Sequence, residues 1–186
     1  MLFAQLHLTL PPWVLQLADD TRLYTDHGAR MALALELART NVARRTGGPF
    51  GAAVFNAEGR LVSVGVNRVE AQNCSVAHAE TMALMLAQQR LQSFRLNQAG
   101  GHYILASSAQ PCSQCYGALL WAGISVLEIG ARAEDVERLA GFDEGPLPAD
   151  WMGELERRGI AVRRDLEREA ACTVLADYAA QGGLRY

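Results

Sequence analysis

Lysine does not occur anywhere in this 186-residue chain; all 17 basic side chains are arginine. Its absence excludes a lysine Schiff base and the lysine of a phosphate-binding P-loop. Positive charge is not in excess either, since 20 acids leave a net charge of −3. Affinity for polyanions rests on clustered cations, and the arginine pairs at 157–158 and 163–164 are interleaved with acids. Nucleic acid is therefore not an expected partner. Half of the residues are apolar, yet no apolar run approaches the roughly 18 residues of a membrane-spanning helix. The first residues, Met1-Leu2-Phe3-Ala4-Gln5-Leu6-His7, lack the basic leader and cleavage pattern of a secretory signal. Four cysteines are too few for a disulfide framework and suit a reducing compartment. The expectation is a soluble, cytoplasmic protein that makes no membrane contact.

What is present is a sparse set of metal-binding side chains. His78 and Glu80 stand two apart in Ala77-His78-Ala79-Glu80, and Cys112 and Cys115 follow in Gln110-Pro111-Cys112-Ser113-Gln114-Cys115. Structural zinc sites close with four protein ligands, whereas catalytic ones keep a position for water. Three ligands (His78, Cys112 and Cys115) with a spare carboxylate read as an open site for one Zn2+, water as the fourth ligand and Glu80 as proton carrier. H-x-E with P-C-x-x-C is the zinc-deaminase pattern.

The spacing has geometric consequences. Cys112 and Cys115, three apart on a helix, face the same way, and Pro111 pre-sets the first turn. His78 and Glu80, two apart, serve one metal only if their helix meets it end-on. Both helices are thus expected to aim their N-termini at the site. A closed Cys3His site completed by Cys74, four residues before His78, is the structural alternative. Thioredoxin-like use of the C-x-x-C is disfavoured because it leaves His78 and Glu80 without a purpose. His7, His27 and His102 have no acid or cysteine at ligand spacing and are read as structural.

Along the chain, residues 1–26 read as an extension broken by Pro11-Pro12 and pinned to the body by Trp13, Leu15 and Leu17. Helical spacing marks Gly28 to Arg45. A hairpin is expected from Gly51 to Phe55 and Leu61 to Val66. Helices follow at Ala77 to Leu91, with Met82, Met85 and Leu86 buried, and at Cys112 to Ala122, Ala133 to Ala140 and Leu166 to Ala180. Strands are expected at His102 to Ser107, Ser125 to Ile129 and Gly159 to Arg163. This order implies one α/β domain over 27–180, a three-layer α/β/α sandwich around a central five-stranded mixed sheet, with 181–186 as a tail. Gly141 to Asp150 is the long loop, a common place for function.

Other residues carry two readings each. Asn67 ends the second strand either as a turn residue or as an amide directed into the pocket. Phe50 is equally core or a stacking face for a flat ring. Asp143 and Glu144 are solvated, or reach a ring nitrogen if the loop folds over the site. Trp121 is read as core.

Taken together, these residues resemble the cytidine and deoxycytidylate deaminase superfamily from about Gly28 to Tyr178. Gly47-Gly48-Pro49-Phe50-Gly51-Ala52, Asn67-Arg68, Cys115-Tyr116-Gly117-Ala118 before Trp121-Ala122, and Gly141-Phe142-Asp143-Glu144 are similar to the bacterial guanine deaminases. The resemblance implies conversion of guanine to xanthine and ammonia, with attack at the amine-bearing carbon and Glu80 as proton shuttle. It implies that Asn67 and the backbone of Ala79 bind the purine edge, and that Glu144 reads or protonates the base. It further implies a small nucleobase substrate and a homodimer whose tails, here Gln181 to Tyr186, cover the partner's site. Ammeline, guanosine, cytosine, or adenosine in tRNA are the related substrates to weigh. The family usually carries glutamate before Pro-Cys; this chain has Gln110.

Overall fold

Asp26 starts the first long helix, its carboxylate accepting the Ala29 N–H at 2.8 Å. A side-chain oxygen at this position satisfies one of the amides that a helix start leaves unpaired. In the computed structural model, which describes residues 4–18 and 21–186, this helix is α2, His27–Ala43, preceded by a single turn, α1, Val14–Leu17. Met1–Phe3, Asp19 and Asp20, on which parts of the expected 1–26 extension fall, lie outside the described residues. Trp13 and Val14 are buried and Leu17 is half-buried, but Leu15 is 81% exposed and pins nothing. One helical turn cannot bring both Val14 and its neighbour Leu15 onto the inner face.

Gly51–Asn56 (β1) and Leu61–Val66 (β2) form the expected hairpin, with a register shift at Val54/Phe55. A turn, α3 at Val69–Gln72, follows, and then α4 at Ala79–Leu91. Tyr103–Ala109 (β3), Ser113–Ala122 (α5), Val126–Ala131 (β4) and Ala133–Ala140 (α6) alternate as expected. Trp151–Glu156 (α7) was not anticipated, because six residues are too short for helical periodicity to register. Ala161–Arg163 (β5) and Arg168–Ala180 (α8) complete the order.

The sheet runs β2-β1-β3-β4-β5. β1 pairs antiparallel with β2 and β3, while β3–β4 and β4–β5 are parallel. Helices α2, α6 and α8 cover one face, around Met31, Leu37, Phe55 and Leu175. Helices α4, α5 and α7 cover the other, around Val54, Leu105, Leu119, Leu127 and Leu155. The result is the three-layer α/β/α sandwich with a five-stranded mixed sheet. No helix among the described residues is long and apolar enough to cross a membrane.

Two burial expectations need correction. Trp121 is 76% exposed, because Leu119 and Ala122 take the inner face of α5. Met85 is exposed and Leu86 half-buried; α4 packs on both the sheet and α5, so Met82, Ala83, Leu84 and Ala87 are the buried residues. His27, read as structural for want of an acid at ligand spacing, gains one by long-range contact: its Nδ1 lies 2.5 Å from Glu128 Oε1, alongside Arg30.

The seating of α4 on the sheet bears on the site. A Cβ at Gly65 in β2 would come within 2.0 Å of the Ala79 carbonyl oxygen. The first turn of α4 therefore lies directly on the strand backbone, with no side chain between.

Candidate active site

His78 and Cys112 are the residues immediately before α4 and α5, both in extended conformation. Each helix therefore presents its N-terminus, the end that favours negative charge, to one point at the carboxyl end of β3. The Cys112 sulfur lies 3.4 Å and the Cys115 sulfur 3.6 Å from His78 Nδ1. All three ligand atoms fall within 4.8 Å of one another. Zinc bonds of about 2.0–2.3 Å in a tetrahedron separate ligand atoms by roughly 3.3–3.8 Å, so this donor set fits zinc. Cys74 is not in the cluster, which leaves the closed Cys3His arrangement without its fourth ligand. All four cysteines are free of disulfides.

The hydrogen bond with Cys115 pulls the Cys112 thiol down to about 4, and the shared proton pushes Cys115 up. Burial opposes the charged form of His78, but Cys112 and the surrounding negative charges outweigh it and raise the imidazole. Glu80, 6% exposed, is pushed up by burial and then by the Cys112 charge. Burial likewise pushes Glu144 up to about 8, with Cys112 and Glu80 adding to it. Two carboxyl groups that favour holding a proton thus face one cavity.

That cavity, about 310 Å3, is lined by His78, Cys112, Glu80, Glu144, Asn67 and Phe50, among others. It is large enough for a small ligand. The long loop does fold over it: the Glu144 carbonyl accepts the Ser113 N–H at 2.9 Å, at the start of α5. Asp143 lines the rim, exposed, with Oδ1 accepting the Gly145 N–H at 2.8 Å, so this carboxylate shapes the loop. Asn67, 1% exposed, has its Oδ1 occupied by the Val69 N–H at 3.2 Å. Its amide nitrogen is left as the group free to donate into the cavity. Ala79 is fully buried behind His78 and is not on the cavity wall.

An aromatic wall completes the site. Phe50 meets Phe142 edge-on at 5.2 Å, and Phe142 meets Tyr186 at 4.9 Å. Tyr186, the last residue, lines the pocket of its own chain. Phe142 and Gln110 also line the cavity without having been singled out as ligand contacts. The available signal for Phe142 was its place directly before the acids of the long loop.

An α/β/α sandwich holding His, two Cys and an adjacent protonatable glutamate defines a zinc-dependent aminohydrolase. The cytidine and deoxycytidylate deaminase zinc-binding region matches residues 24–131, and the chain belongs to this family. Guanine deaminase of Bacillus subtilis (strain 168) is 34% identical over 119 residues, 64% of this chain and 72% of the relative. The solved guanine deaminase from Nitrosomonas europaea is 46% identical, with a TM-score of 0.91, over 97% of this chain and 99% of that one. The structure of the NE0047 protein in complex with 2,6-diaminopurine is 47% identical, with a TM-score of 0.92, over 98% and 96% of the two chains.

Proposed function

We propose that this enzyme hydrolyses guanine to xanthine and ammonia. One observation carries the reading: two carboxyl groups with raised proton affinity, Glu80 and Glu144, face the His78–Cys112–Cys115 cluster across a cavity with an aromatic wall. His78, Cys112 and Cys115 would hold the zinc. When bound there, zinc supplies a Lewis acid that makes water acidic enough to lose a proton near neutral pH.

The protein side chains then divide the work. Glu80 accepts a proton from water and delivers it to a ring nitrogen, then takes the second proton from the hydroxyl now on C2 and delivers that one to the departing amine. The C2–N bond breaks, a C2–O bond forms, and ammonia leaves. Glu144 stands protonated and donates to the base from the loop. Asn67 donates its amide N–H to an acceptor on the purine edge; guanine offers O6 and N7. Phe50 and the other rings pack on the flat face and exclude water. Asp143 acts through the turn it forms rather than by touching the base, and Ala79 contributes through the first turn of α4. The relatives that act on guanine or hold 2,6-diaminopurine support a free purine base.

A panel of guanine, guanosine, cytosine, adenine and ammeline, read by ammonia release, tests this. Fastest turnover of guanine is expected; a preference for a nucleoside or for ammeline overturns the substrate assignment. The free thiols suit the cytoplasm. The exposed Trp121 and its neighbour Leu120 at a groove support a homodimer, which sedimentation would test.

A further inference from the structure

We propose that Asn41 is the positioning residue of the substrate pocket, acting through Asn67. The inference rests on the assignment of Asn67 as a substrate contact. Asn41 sits on α2, among the apolar residues that face the sheet, and is 0% exposed. Its amide nitrogen donates to the carbonyl of Gly48 at 2.9 Å and to the carbonyl of Asn67 at 3.0 Å. The Thr46 hydroxyl donates to Asn41 Oδ1 at 2.7 Å and in turn accepts the Trp13 indole N–H at 3.2 Å. An amide has two N–H donors and one carbonyl acceptor, and every side of this one is used. Turning the amide over would set its oxygen against two carbonyl oxygens, so the network admits one orientation.

One carbonyl belongs to Asn67, which lines the pocket, and the other to Gly48, two residues before the lining residue Phe50. The β1–β2 ladder extends past Gly51 and Val66 by a single bond, from Asn67 N to Phe50 O at 3.1 Å. Beyond it the Asn41 side chain bridges the two chains. The tie is close: a Cβ at Gly47 would lie 2.0 Å from the Asn67 carbonyl oxygen and 2.8 Å from Asn41 Nδ2. Arg68 adds to it, donating to the carbonyls of Thr46 and, at 3.2 Å, Thr9. One buried amide thus fixes both the Gly48–Phe50 wall and the residue whose side chain meets the base. Its removal leaves the Asn67 carbonyl without its donor, while the Gly48 carbonyl keeps only the Phe50 N–H at 2.9 Å, and the Asn67 amide loses its fixed height in the cavity.

The test is a double-mutant cycle in the zinc-loaded enzyme, with Asn41→Ala and Asn67→Ala singly and together. Steady-state guanine kinetics are read together with zinc content. Asn41→Ala is expected to lower kcat/KM about tenfold in the parent and less than about twofold when Asn67 is already alanine, with zinc retained. An equal loss in both backgrounds would show that Asn41 acts elsewhere and overturn the proposal. If Asn67→Ala alone matches the parent, the substrate-contact assignment fails first and takes the positioning role with it. Should Asn41→Ala not fold, Thr46→Val replaces it in the cycle: it keeps both donor bonds of Asn41 but removes the hydroxyl that orients the amide. The same non-additive pattern is expected there at about threefold, and additivity would overturn the proposal equally.

Discussion

The Tyr178 hydroxyl donates to the Leu184 carbonyl at 2.7 Å, and this bond folds the C-terminal tail back toward the cavity of its own chain. Two residues on, Tyr186 packs against Phe142. Removing residues 181–186 takes away one wall and admits water. We expect KM for guanine to rise about tenfold on truncation, and about threefold for Tyr178→Phe, which loses one hydrogen bond of about 1 kcal/mol. Unchanged kinetics in the truncated enzyme would show that the tail does not help to hold substrate.

Glu80→Gln keeps the shape of the side chain and removes only its ability to take up and pass on a proton. Turnover is expected to fall by about 10²–10⁴, while elemental analysis finds the parent's zinc content, because Glu80 is not in the ligand cluster. Parent-like turnover in this variant would remove Glu80 from the chemistry.

The Glu144 carboxyl, raised by burial to about 8, is protonated at neutral pH. If that proton is donated to the base, kcat/KM falls as pH rises through about 8. Glu144→Gln should lack this limb and run about a hundredfold slower, since an amide cannot give up its proton. A descending limb that survives in the variant would assign it to another group. Stability carries the same sign. The folded chain keeps a proton that the unfolded chain releases near 4.5, so this contribution is complete at low pH and is lost as pH rises toward 8. Urea denaturation at about pH 5 and about pH 9 should show a smaller difference for Glu144→Gln than for the parent.

Away from the site, the fully buried Glu128 accepts from Arg30 through both oxygens, at 2.8 and 2.9 Å. Burial opposes its ionisation, but Arg30 and His27 outweigh it and hold the carboxyl below its usual range. This stabilisation is present above the usual carboxylate pKa and is lost as pH falls through the lowered one. Glu128→Gln leaves the Arg30 charge buried without its counter-ion, and urea denaturation should register a loss of about 3–5 kcal/mol. A change under about 1 kcal/mol would mean that water reaches Arg30.

Local chemistry explains which of these features could be read in advance. The ligands His78, Cys112 and Cys115 are close in sequence to helix starts, and a metal ion restricts residue type and spacing severely, so cluster and end-on geometry were both legible. The sheet followed from strand and helix periodicity. Asn41 was not legible, because its partners Gly48 and Asn67 lie 7 and 26 residues away, and a polar residue on an apolar face looks like noise until the fold brings them together. Trp121 was misread for a related reason. An aromatic residue on an apolar helix suits a core equally well, and only the packing of Leu119 shows which side faces in. The partner-covering tail came from resemblance alone; the position of Tyr186 at the cavity of its own chain needed the fold.

Where Gly65 lies under Ala79, one main chain rests on another, and the thickness of that contact cannot be tuned by exchanging side chains. The height of His78 above the sheet is therefore a fixed length. The imidazole arm of the metal site thus stands on two peptide planes, and any residue larger than glycine at position 65 would press on the Ala79 carbonyl and the Ala83 N–H, the turn that carries His78.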